Sequence, residues 1–382
     1  MQGRKRTMSI LKKAIQDNDQ TIWVHVASLG EFEQGLPVIE KLKVEYPSHK
    51  ILITFFSPSG YEVKKNTSAA DVVTYLPIDS RKKATAFLDA THPSLAIFVK
   101  YEIWPNYLKE LNKRKIPTIL ISAIFNKKQV YFKSYGSFMR KALMGFSHYF
   151  VQNEASKNLL SSIGITNSTI CGDTRLDRVS EILDRDNQLD FMEAFKQNTK
   201  CFVAGSTWPE DEKIIIDFIN NSSPELKFVL APHKIRMDKI LNLQVAISKK
   251  TALYSQRESS DLSQQQVLII DHIGVLTKIY SYADIAYVGG GFATGLHNTL
   301  EPAVFGIPVI IGPNYEGFQE AEELVALKGL IPVTHQQNFN QVMNRFCNDS
   351  KFVNETGKIN ADYIAKNKGA SIQIIRYIRT LF

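Results

Sequence analysis

Short apolar runs alternate with longer mixed segments along nearly the whole chain, and this alternation is the feature that most restricts its fold. In the first half the apolar runs are Ile22–Ala27, Lys50–Phe55, Leu95–Val99 and Thr118–Ile121. Helix-like segments such as 35–46 and 81–88 lie between them. In the second half the runs are Cys201–Ala204, Lys227–Ala231, Val267–Asp271, Ile285–Val288 and Val309–Ile311. Strands alternating with helices are typical of parallel βαβ units, so we expect an α/β protein with two Rossmann-like halves.

The length of 382 residues exceeds what one hydrophobic core usually supports, which also favours two domains. A polar stretch without strand signals separates the halves, and Asp184–Gln188 is its most polar part. We therefore predict an N-terminal domain over residues 1–180 and a C-terminal domain over residues 181–382. The last segment, Ala370–Phe382, has apolar residues at helical spacing and predicts an amphipathic helix. The sequence leaves open whether this helix packs back on the first domain.

Charge and cysteine content restrict the partners and the compartment. The net charge of +8 is compatible with nucleic acid, a phospholipid surface or a phosphorylated substrate. Basic clusters at 4–13 and 127–141, the second interleaved with aromatic residues, suit either a membrane interface or a solvated basic face. Three scattered cysteines favour a reducing compartment, hence the cytoplasm. The sequence has no apolar segment of about 20 residues and no signal-peptide order, so we expect peripheral membrane association.

The segment Val24–Glu33 reads as a strand that ends at a Ser/Gly turn and delivers an acid, Glu31, to a helix start. Open α/β sheets bind ligands at this carboxyl edge, so Glu31 is a candidate catalytic residue. A carboxylate in this position is also a common helix cap. From the segment alone, both interpretations stay open.

The segment Val203–Glu210 runs from a strand into Gly205, Ser206 and Thr207. Thr207 and Glu210 have the spacing of a capping box, with Pro209 among the first helical positions. The free backbone N–H groups of such a turn suit one phosphate, although capping without a ligand explains the pattern equally well.

The most unusual stretch, Asp284–Ala303, combines a strand, a glycine-rich loop and a predicted helix start at His297 and Asn298. Glycines let backbone amides approach oxygen atoms closely, which indicates an anion or nucleotide site. The glycines at 289–295 fit neither a dinucleotide fingerprint nor a P-loop. Glu301 lies one helical turn beyond Asn298, where it can accept hydrogen bonds from ribose hydroxyls.

No metal or other cofactor is predicted. The pair Asp184 and Asp186 resembles the metal-binding acids of some sugar transferases but lies in a polar linker. The remaining histidines have no metal-ligand spacing and are interpreted as surface or satisfied core residues; they are His25, His49, His92, His148 and His335.

Taken in order, eight segments resemble the Kdo (3-deoxy-D-manno-octulosonic acid) transferases of lipopolysaccharide assembly. The segments are 28–31, 54–60, 75–79, 102–105, 172–177, 205–207, 232–233 and 297–302. The resemblance covers nearly the whole chain and implies the GT-B fold, which has two Rossmann-like domains with an interdomain cleft. It further implies an inverting glycosyltransferase that moves Kdo from CMP-Kdo onto the lipid A precursor, lipid IVA. That reaction takes place at the cytoplasmic face of the bacterial inner membrane.

The resemblance also implies roles for individual residues. Glu31 matches the general base, and Glu102 and Arg175 match positions that stabilise the transition state. Gly205, Ser206 and Thr207 match positions near the phosphate. The other substrate-binding positions map onto Pro232, His233, Ile273, Gly274, Val275, His297, Asn298, Thr299, Leu300 and Glu301. On this basis the N-terminal domain binds the acceptor and the C-terminal domain binds CMP-Kdo.

The sequence departs from the family pattern at a few positions. Arg175 stands where lysine is common, Lys100 replaces a usual acid, and Leu296 replaces a usual glycine. The chain also starts about where an apolar anchor helix of many family members ends. Two alternatives stay open: a GT-B transferase or epimerase with another nucleotide sugar, and a noncatalytic membrane-surface binding protein. A nucleic-acid partner is not expected because no recognised motif is present.

Overall fold

The structure is a computed structural model that describes residues 2–293 and 295–382. Its contacts divide the chain into two compact units. The first comprises the residues up to Arg178 together with Asn367–Phe382, and the second comprises Val179–Lys366. This boundary lies two residues from the sequence division at 180 and 181, and the final segment lies with the first unit.

Fourteen strands and seventeen α-helices alternate along the described residues. The strands are β1 (Thr21–Val26), β2 (Lys50–Phe55), β3 (Val72–Tyr75), β4 (Pro93–Val99), β5 (Thr118–Ala123), β6 (His148–Val151), β7 (Ser168–Ile170), β8 (Lys200–Thr207), β9 (Leu226–Pro232), β10 (Thr251–Leu253), β11 (Val267–Ile269), β12 (Ile285–Val288), β13 (Val309–Ile311) and β14 (Leu330–Pro332). The helices are α1 (Gln2–Ala14), α2 (Leu29–Glu45), α3 (Pro58–Lys64), α4 (Arg81–Thr91), α5 (Pro105–Lys113), α6 (Ser137–Leu143), α7 (Glu154–Ser161), α8 (Thr174–Ser180), α9 (Asp190–Lys196), α10 (Pro209–Asn220), α11 (Met237–Ala246), α12 (Leu276–Ile279), α13 (Leu300–Ala303), α14 (Gln319–Leu327), α15 (Gln336–Asn348), α16 (Ser350–Asn367) and α17 (Ala370–Ile378).

The first unit is built on a seven-stranded parallel sheet in the order β3-β2-β1-β4-β5-β6-β7. Both faces of its central strands are buried, as expected for a parallel sheet covered by helices on each side. Along β1, Trp23 packs into one core with Phe98 and Tyr107. Val24 packs into the opposite core with Ile53. The near-continuous apolar runs of the sequence therefore reflect burial on both faces.

The last helix, α17, completes one of these cores. Ile374, Ile375 and Ile378 are buried among residues of α2 and the sheet. Asp177 fixes the helix start, because its carboxylate accepts hydrogen bonds from the N–H groups of Gly369 at 2.6 Å and Ser371 at 2.9 Å. A carboxylate at this end of a helix also interacts favourably with the helix dipole.

The second unit has its own seven-stranded parallel sheet in the order β10-β11-β9-β8-β12-β13-β14. Phe202, Phe228 and Phe339 form the centre of a hydrophobic core on one face. The two-domain α/β fold predicted from the sequence is confirmed. None of the helices formed by the described residues is both long and apolar enough to cross a membrane.

Each sheet has a point where the strand order changes direction. In the first sheet β1 lies between β2 and β4, and in the second β8 lies between β9 and β12. Successive connections leave such neighbouring strands toward opposite faces, so a crevice opens at their carboxyl ends. These two positions are where ligand sites are expected in folds of this class.

Candidate active site

Glu31 lies at the switch point of the first sheet, directly after β1. Ser28 is the N-cap of α2, and its hydroxyl accepts a hydrogen bond from the N–H of Glu31 at 3.4 Å. The carboxylate of Glu31 folds back to accept a hydrogen bond from the N–H of Ala27. The residue is only 5% exposed. Burial, and secondarily the nearby charge of Glu102, raise the pKa of Glu31 to about 7, a value suited to a general base at neutral pH.

Glu102 follows β4, the neighbour of β1, and two aromatic rings hold its carboxylate. The indole N–H of Trp104 donates to Oε2 at 2.9 Å, and Nε2 of His25 lies 3.3 Å from the same oxygen. On the other side of the His25 ring, Nδ1 lies 2.8 Å from the hydroxyl of Thr54. A hydrogen on Nε2 lets His25 donate to Glu102 and accept from the hydroxyl of Thr54, whereas the carbonyl oxygen of Thr54, 3.1 Å from Nδ1, is an acceptor for a hydrogen on Nδ1. The candidate site therefore rests on a hydrogen-bonded chain that crosses the ends of three strands.

His25 is a site residue that the sequence interpretation missed. It is fully buried and hydrogen-bonded, as a satisfied core histidine is expected to be. However, its Nε2 contacts a candidate catalytic carboxylate 77 positions away in the sequence. Only the pairing of His25 on β1 with Phe98 on β4 brings the two together. Spacing within the β1 segment contains no signal for this contact.

Arg175 lies at the start of α8, and Asp173 holds its guanidinium group. The Nε and Nη2 atoms of Arg175 lie 2.9 and 2.7 Å from the same carboxylate oxygen of Asp173. Asp173 also accepts a hydrogen bond from Gln34 of α2 at 3.3 Å. Arg175 is thus connected, through Asp173 and Gln34, to the helix that carries Glu31. The positive charge of Lys100 partly opposes the rise in the pKa of Glu31.

In the second unit, the end of β8 is packed tightly against its neighbours. A Cβ atom at Gly205 would lie 1.9 Å from the hydroxyl oxygen of Tyr280, so only glycine fits there. Ser206 has a positive φ of 54°, which turns the chain at the strand end. Thr207 donates its hydroxyl hydrogen to Glu212 at 3.0 Å. The three residues expected near a phosphate therefore form a constrained turn at the carboxyl end of β8.

The capping box predicted for Thr207 and Glu210 is wrong. The N-cap of α10 is Trp208, one residue later, and its N–H donates to the carboxylate of Asp211 at 2.9 Å. Thr207 is still in β8, because its position pairs with Pro232 of β9. The strand thus extends further than the apolar run indicates.

Asp211 is a second residue that the sequence interpretation missed. It is fully buried, and besides the N-cap it accepts hydrogen bonds from the Tyr287 hydroxyl at 2.6 Å and the Gly290 N–H at 2.9 Å. A Cβ atom at Gly289 would lie 2.3 Å from the carbonyl oxygen of Ser206. The glycine-rich loop after β12 is therefore in backbone contact with the carboxyl end of β8, and the carboxylate of Asp211 is hydrogen-bonded to both the start of α10 and this loop.

Three rings form a cluster beside this turn. The indole N–H of Trp208 lies 3.0 Å from Nε2 of His297, and the ring of His233 lies 4.3 Å from that of His297. An indole nitrogen only donates, so Nε2 of His297 must accept and its hydrogen must be on Nδ1. Burial, followed by the nearby His233, lowers the pKa of His297 below its usual value. Burial and the charge of Lys234 lower the pKa of His233. His297 is therefore a neutral ring with its N–H at Nδ1.

The helix after the glycine-rich loop starts later than predicted. Its N-cap is Thr299, and α13 begins at Leu300, so His297 and Asn298 precede the helix. The side chain of Asn298 donates to Glu301 at 3.1 Å, and the hydroxyl of Thr277 donates to the other oxygen of Glu301 at 3.0 Å. Thr299 and Leu300 are buried, and the hydroxyl of Thr299 has no hydrogen-bond partner among the described residues.

The remaining predicted donor residues lie on loops at the same edge. Pro232 ends β9, and His233 follows it. Ile273, Gly274 and Val275 follow β11 and lead into α12, with a φ of 101° at Gly274. The predicted substrate-binding residues thus lie in the last positions of β8 and β9 or in the segments that follow β9, β11 and β12, at the carboxyl edge of the second sheet. Within residues 2–293 and 295–382, no group of three His, Cys, Asp or Glu side chains is arranged to hold a metal ion.

Comparison with known proteins gives a consistent result. The family model described as 3-deoxy-D-manno-octulosonic-acid transferase (kdotransferase) matches residues 2–178. A 3-deoxy-D-manno-octulosonic acid transferase of Rickettsia bellii is 27% identical over 369 residues, which cover 91% of this chain and 88% of that protein. A bifunctional glycosyltransferase/methyltransferase of Fusobacterium nucleatum is 26% identical over 360 residues. That match covers 88% of this chain but spans only 56% of the longer relative.

Among solved structures, the UDP-GlcNAc 2-epimerase of Neisseria meningitidis bound to UDP-GlcNAc has a TM-score of 0.67 at 18% identity. The match covers 94% of this chain and all of the epimerase chain, and it shows a shared GT-B-like fold. The curated relatives and the family model name the same family that the eight segments of the sequence resemble. The family model over residues 2–178 and the curated relatives along most of the chain thus support placing this chain with the 3-deoxy-D-manno-octulosonic acid transferases, a family of glycosyltransferases.

Proposed function

We propose that this protein is an inverting glycosyltransferase that transfers Kdo from CMP-Kdo to lipid IVA at the cytoplasmic face of the inner membrane. The observation that carries the proposal is the environment of Glu31, in a chain of this family. A carboxylate at the switch point of the first sheet is buried, and burial raises its pKa to about 7. Such a group accepts a proton in the transition state at neutral pH.

On the acceptor side, Glu31 removes the proton from a glucosamine hydroxyl while the hydroxyl oxygen attacks the anomeric carbon of Kdo. The bond between that carbon and the phosphate oxygen of CMP breaks, CMP leaves with the electron pair, and the anomeric configuration inverts. Glu102, held by Trp104 and His25, keeps a negative charge close to Glu31 and so supports its basicity. Arg175 supplies a fixed positive charge for the sugar carboxylate or the phosphate.

On the donor side, the turn at Gly205, Ser206 and Thr207 offers backbone N–H groups to the single phosphate of the donor. His297 adds its Nδ1–H as a neutral donor that keeps its hydrogen at neutral pH. Asn298 and Glu301 are positioned by their mutual hydrogen bond and accept or donate to ribose hydroxyls. The loops at Pro232–His233 and Ile273–Val275 complete the nucleotide site.

The test is transfer from CMP-Kdo to a tetraacyl lipid A precursor by the purified protein in the presence of a chelator. Glu31→Gln is compared with Glu33→Gln, a control on the same helical turn whose carboxylate pairs with Lys64 at 3.0 Å. Product from the wild type and the control, and none from Glu31→Gln, supports the reaction and the base. Equal activity of Glu31→Gln overturns the base assignment. Absence of product with CMP-Kdo, together with turnover of a uridine or guanosine sugar, overturns the proposed donor.

A further inference from the structure

Helix α11 has apolar residues on two faces. Ile240 and Leu243 point inward and are buried in the core of the second unit. On the outer face, Met237 is 56% exposed, Leu241 48% and Val245 86%. These three residues, spaced by four, form one row on the helix surface, which we call the α11 stripe. A surface helix normally presents polar residues to water, so the α11 stripe is an apolar face without a partner among the described residues.

The surroundings of the α11 stripe are strongly basic. Between Lys234 and Lys250 the sequence contains five lysines and arginines and one acid, Asp238. That acid is already paired with Arg236 at 2.9 Å. Three of the five cations, Lys234, Arg236 and Lys239, lie at the N-terminal end of the helix, and Lys249 and Lys250 follow its C-terminal end. Helix α11 itself contains one acid, Asp238, and one lysine, Lys239, so the positive charge lies mainly in the segments that flank it.

The side of α11 that faces α10 belongs to a different surface. A cavity of about 650 Å³ between the two helices is lined by the candidate donor-site residues Thr207, Pro232 and His233 as well as by Lys213 and Lys239, so the α11 stripe lies on the opposite, outer face of the helix. The acid that lines this cavity, Glu212, accepts a hydrogen bond from Thr207, and burial raises its pKa.

We propose that the α11 stripe and its flanking cations form a membrane-contact surface on the second unit, which inserts into the interface of a bilayer that contains anionic lipids. The stripe spans about 12 Å along the helix axis, a length suited to lying in the interface plane. A second copy of this chain is a poorer partner, because a two-fold axis would place the same cations opposite one another. The proposal does not depend on the identity of the transferred sugar.

The first experiment measures binding of the full chain to sedimenting vesicles of phosphatidylcholine alone and of phosphatidylcholine with about 30% phosphatidylglycerol. The variant Met237→Ser/Leu241→Ser/Val245→Ser is expected to bind the anionic vesicles at least about tenfold more weakly than the wild type. The control is Leu327→Ser, since Leu327 is 52% exposed on the acidic helix α14. Unchanged binding by the triple variant overturns the proposal. Because the substituted residues are exposed, CMP binding should be retained and reports that the second unit is folded.

The second experiment reports on the α11 stripe itself, because the basic cluster at 4–13 is a competing contact. An environment-sensitive fluorophore is attached to Leu241→Cys in a Cys347→Ser background, with Leu327→Cys as the matched control. A blue shift at position 241 with anionic vesicles, absent at position 327, supports insertion. An aqueous spectrum at position 241 while the protein sediments with vesicles overturns the proposal. A blue shift that depends on protein concentration without vesicles assigns the stripe to a second copy and also overturns it.

Discussion

Replacing Glu31 by glutamine distinguishes the effect of its burial on catalysis from the effect of its burial on the stability of the fold. Burial and Glu102 raise the pKa of Glu31 from 4.5 to about 7. A shift of this size corresponds to about 3 kcal/mol. The pKa of Glu31 is higher in the folded state than in the unfolded state. Its favourable contribution to the free energy of unfolding is therefore fully present below pH 4.5 and is lost as the pH rises through about 7. Glu31 should therefore stabilise the folded state least at alkaline pH.

Glutamine has nearly the same shape and keeps an acceptor for the N–H of Ala27, but it cannot ionise. We expect the Glu31→Gln variant to be more stable than the wild type at about pH 8.5 by about 1–3 kcal/mol. At about pH 4.5 the two proteins should be nearly equal. Transfer activity should fall by about 100-fold or more, since a general base contributes that much.

Tryptophan fluorescence can follow the first unit alone. Two of the three tryptophans, Trp23 and Trp104, lie in the first unit, and Trp208 lies in the second. In a Trp208→Phe background, urea unfolding at about pH 4.5 and about pH 8.5 is compared with and without Glu31→Gln, and Glu33→Gln is the control. The same pH dependence of the unfolding free energy in the presence and absence of the Glu31 carboxylate would refute the reasoning.

Three further predictions concern the second unit and the thiols. Trp208→Phe keeps an aromatic ring but removes the indole N–H that donates to His297. The KM for CMP-Kdo should therefore rise about tenfold, and kcat should change less. An unchanged KM in steady-state kinetics contradicts this prediction. Gly289→Ala places a Cβ atom against the backbone of Ser206. The free energy of unfolding, measured by thermal unfolding, should fall by about 2 kcal/mol, and calorimetry should show a loss of CMP binding. Wild-type values in both measurements would exclude the clash. Burial raises the pKa of all three thiols, to about 12 for Cys171 and Cys201, and only Cys347 is half-buried and not fully buried, so a chromogenic disulfide reagent should modify one thiol at most in the native protein and three after denaturation.

The sequence predicted the central strands well and the outer ones poorly. Lys50–Phe55 and Ile285–Val288 match β2 and β12 residue for residue, because these strands are buried on both faces. Four of the missed strands, β3, β7, β10 and β14, are the edges of their sheets. An edge strand is less covered, as in β7, where no residue is fully buried. Its composition therefore differs little from that of a loop.

The site was predictable where it follows directly from a strand end. Glu31 and the turn at Gly205 lie at carboxyl ends of strands that the sequence identified. The contacts of His25 with Glu102, and of Asp211 with the glycine-rich loop, join residues 77 and 79 positions apart. Strand order creates these neighbours, and no local pattern specifies strand order. Whether the predicted residues bind substrate stays a prediction.

The return of α17 to the first unit gives the order of synthesis a physical consequence. Residues 179–366 leave the ribosome as a continuous block, so the second unit has all of its residues while the first still lacks Ile374, Ile375 and Ile378. Until then Asp177 has no helix end to cap. A chain truncated after Lys366 and released from the ribosome should therefore be cut by protease first in the half that carries Glu31, although that half was translated first. The first unit can therefore complete its core only after the second unit has been synthesised.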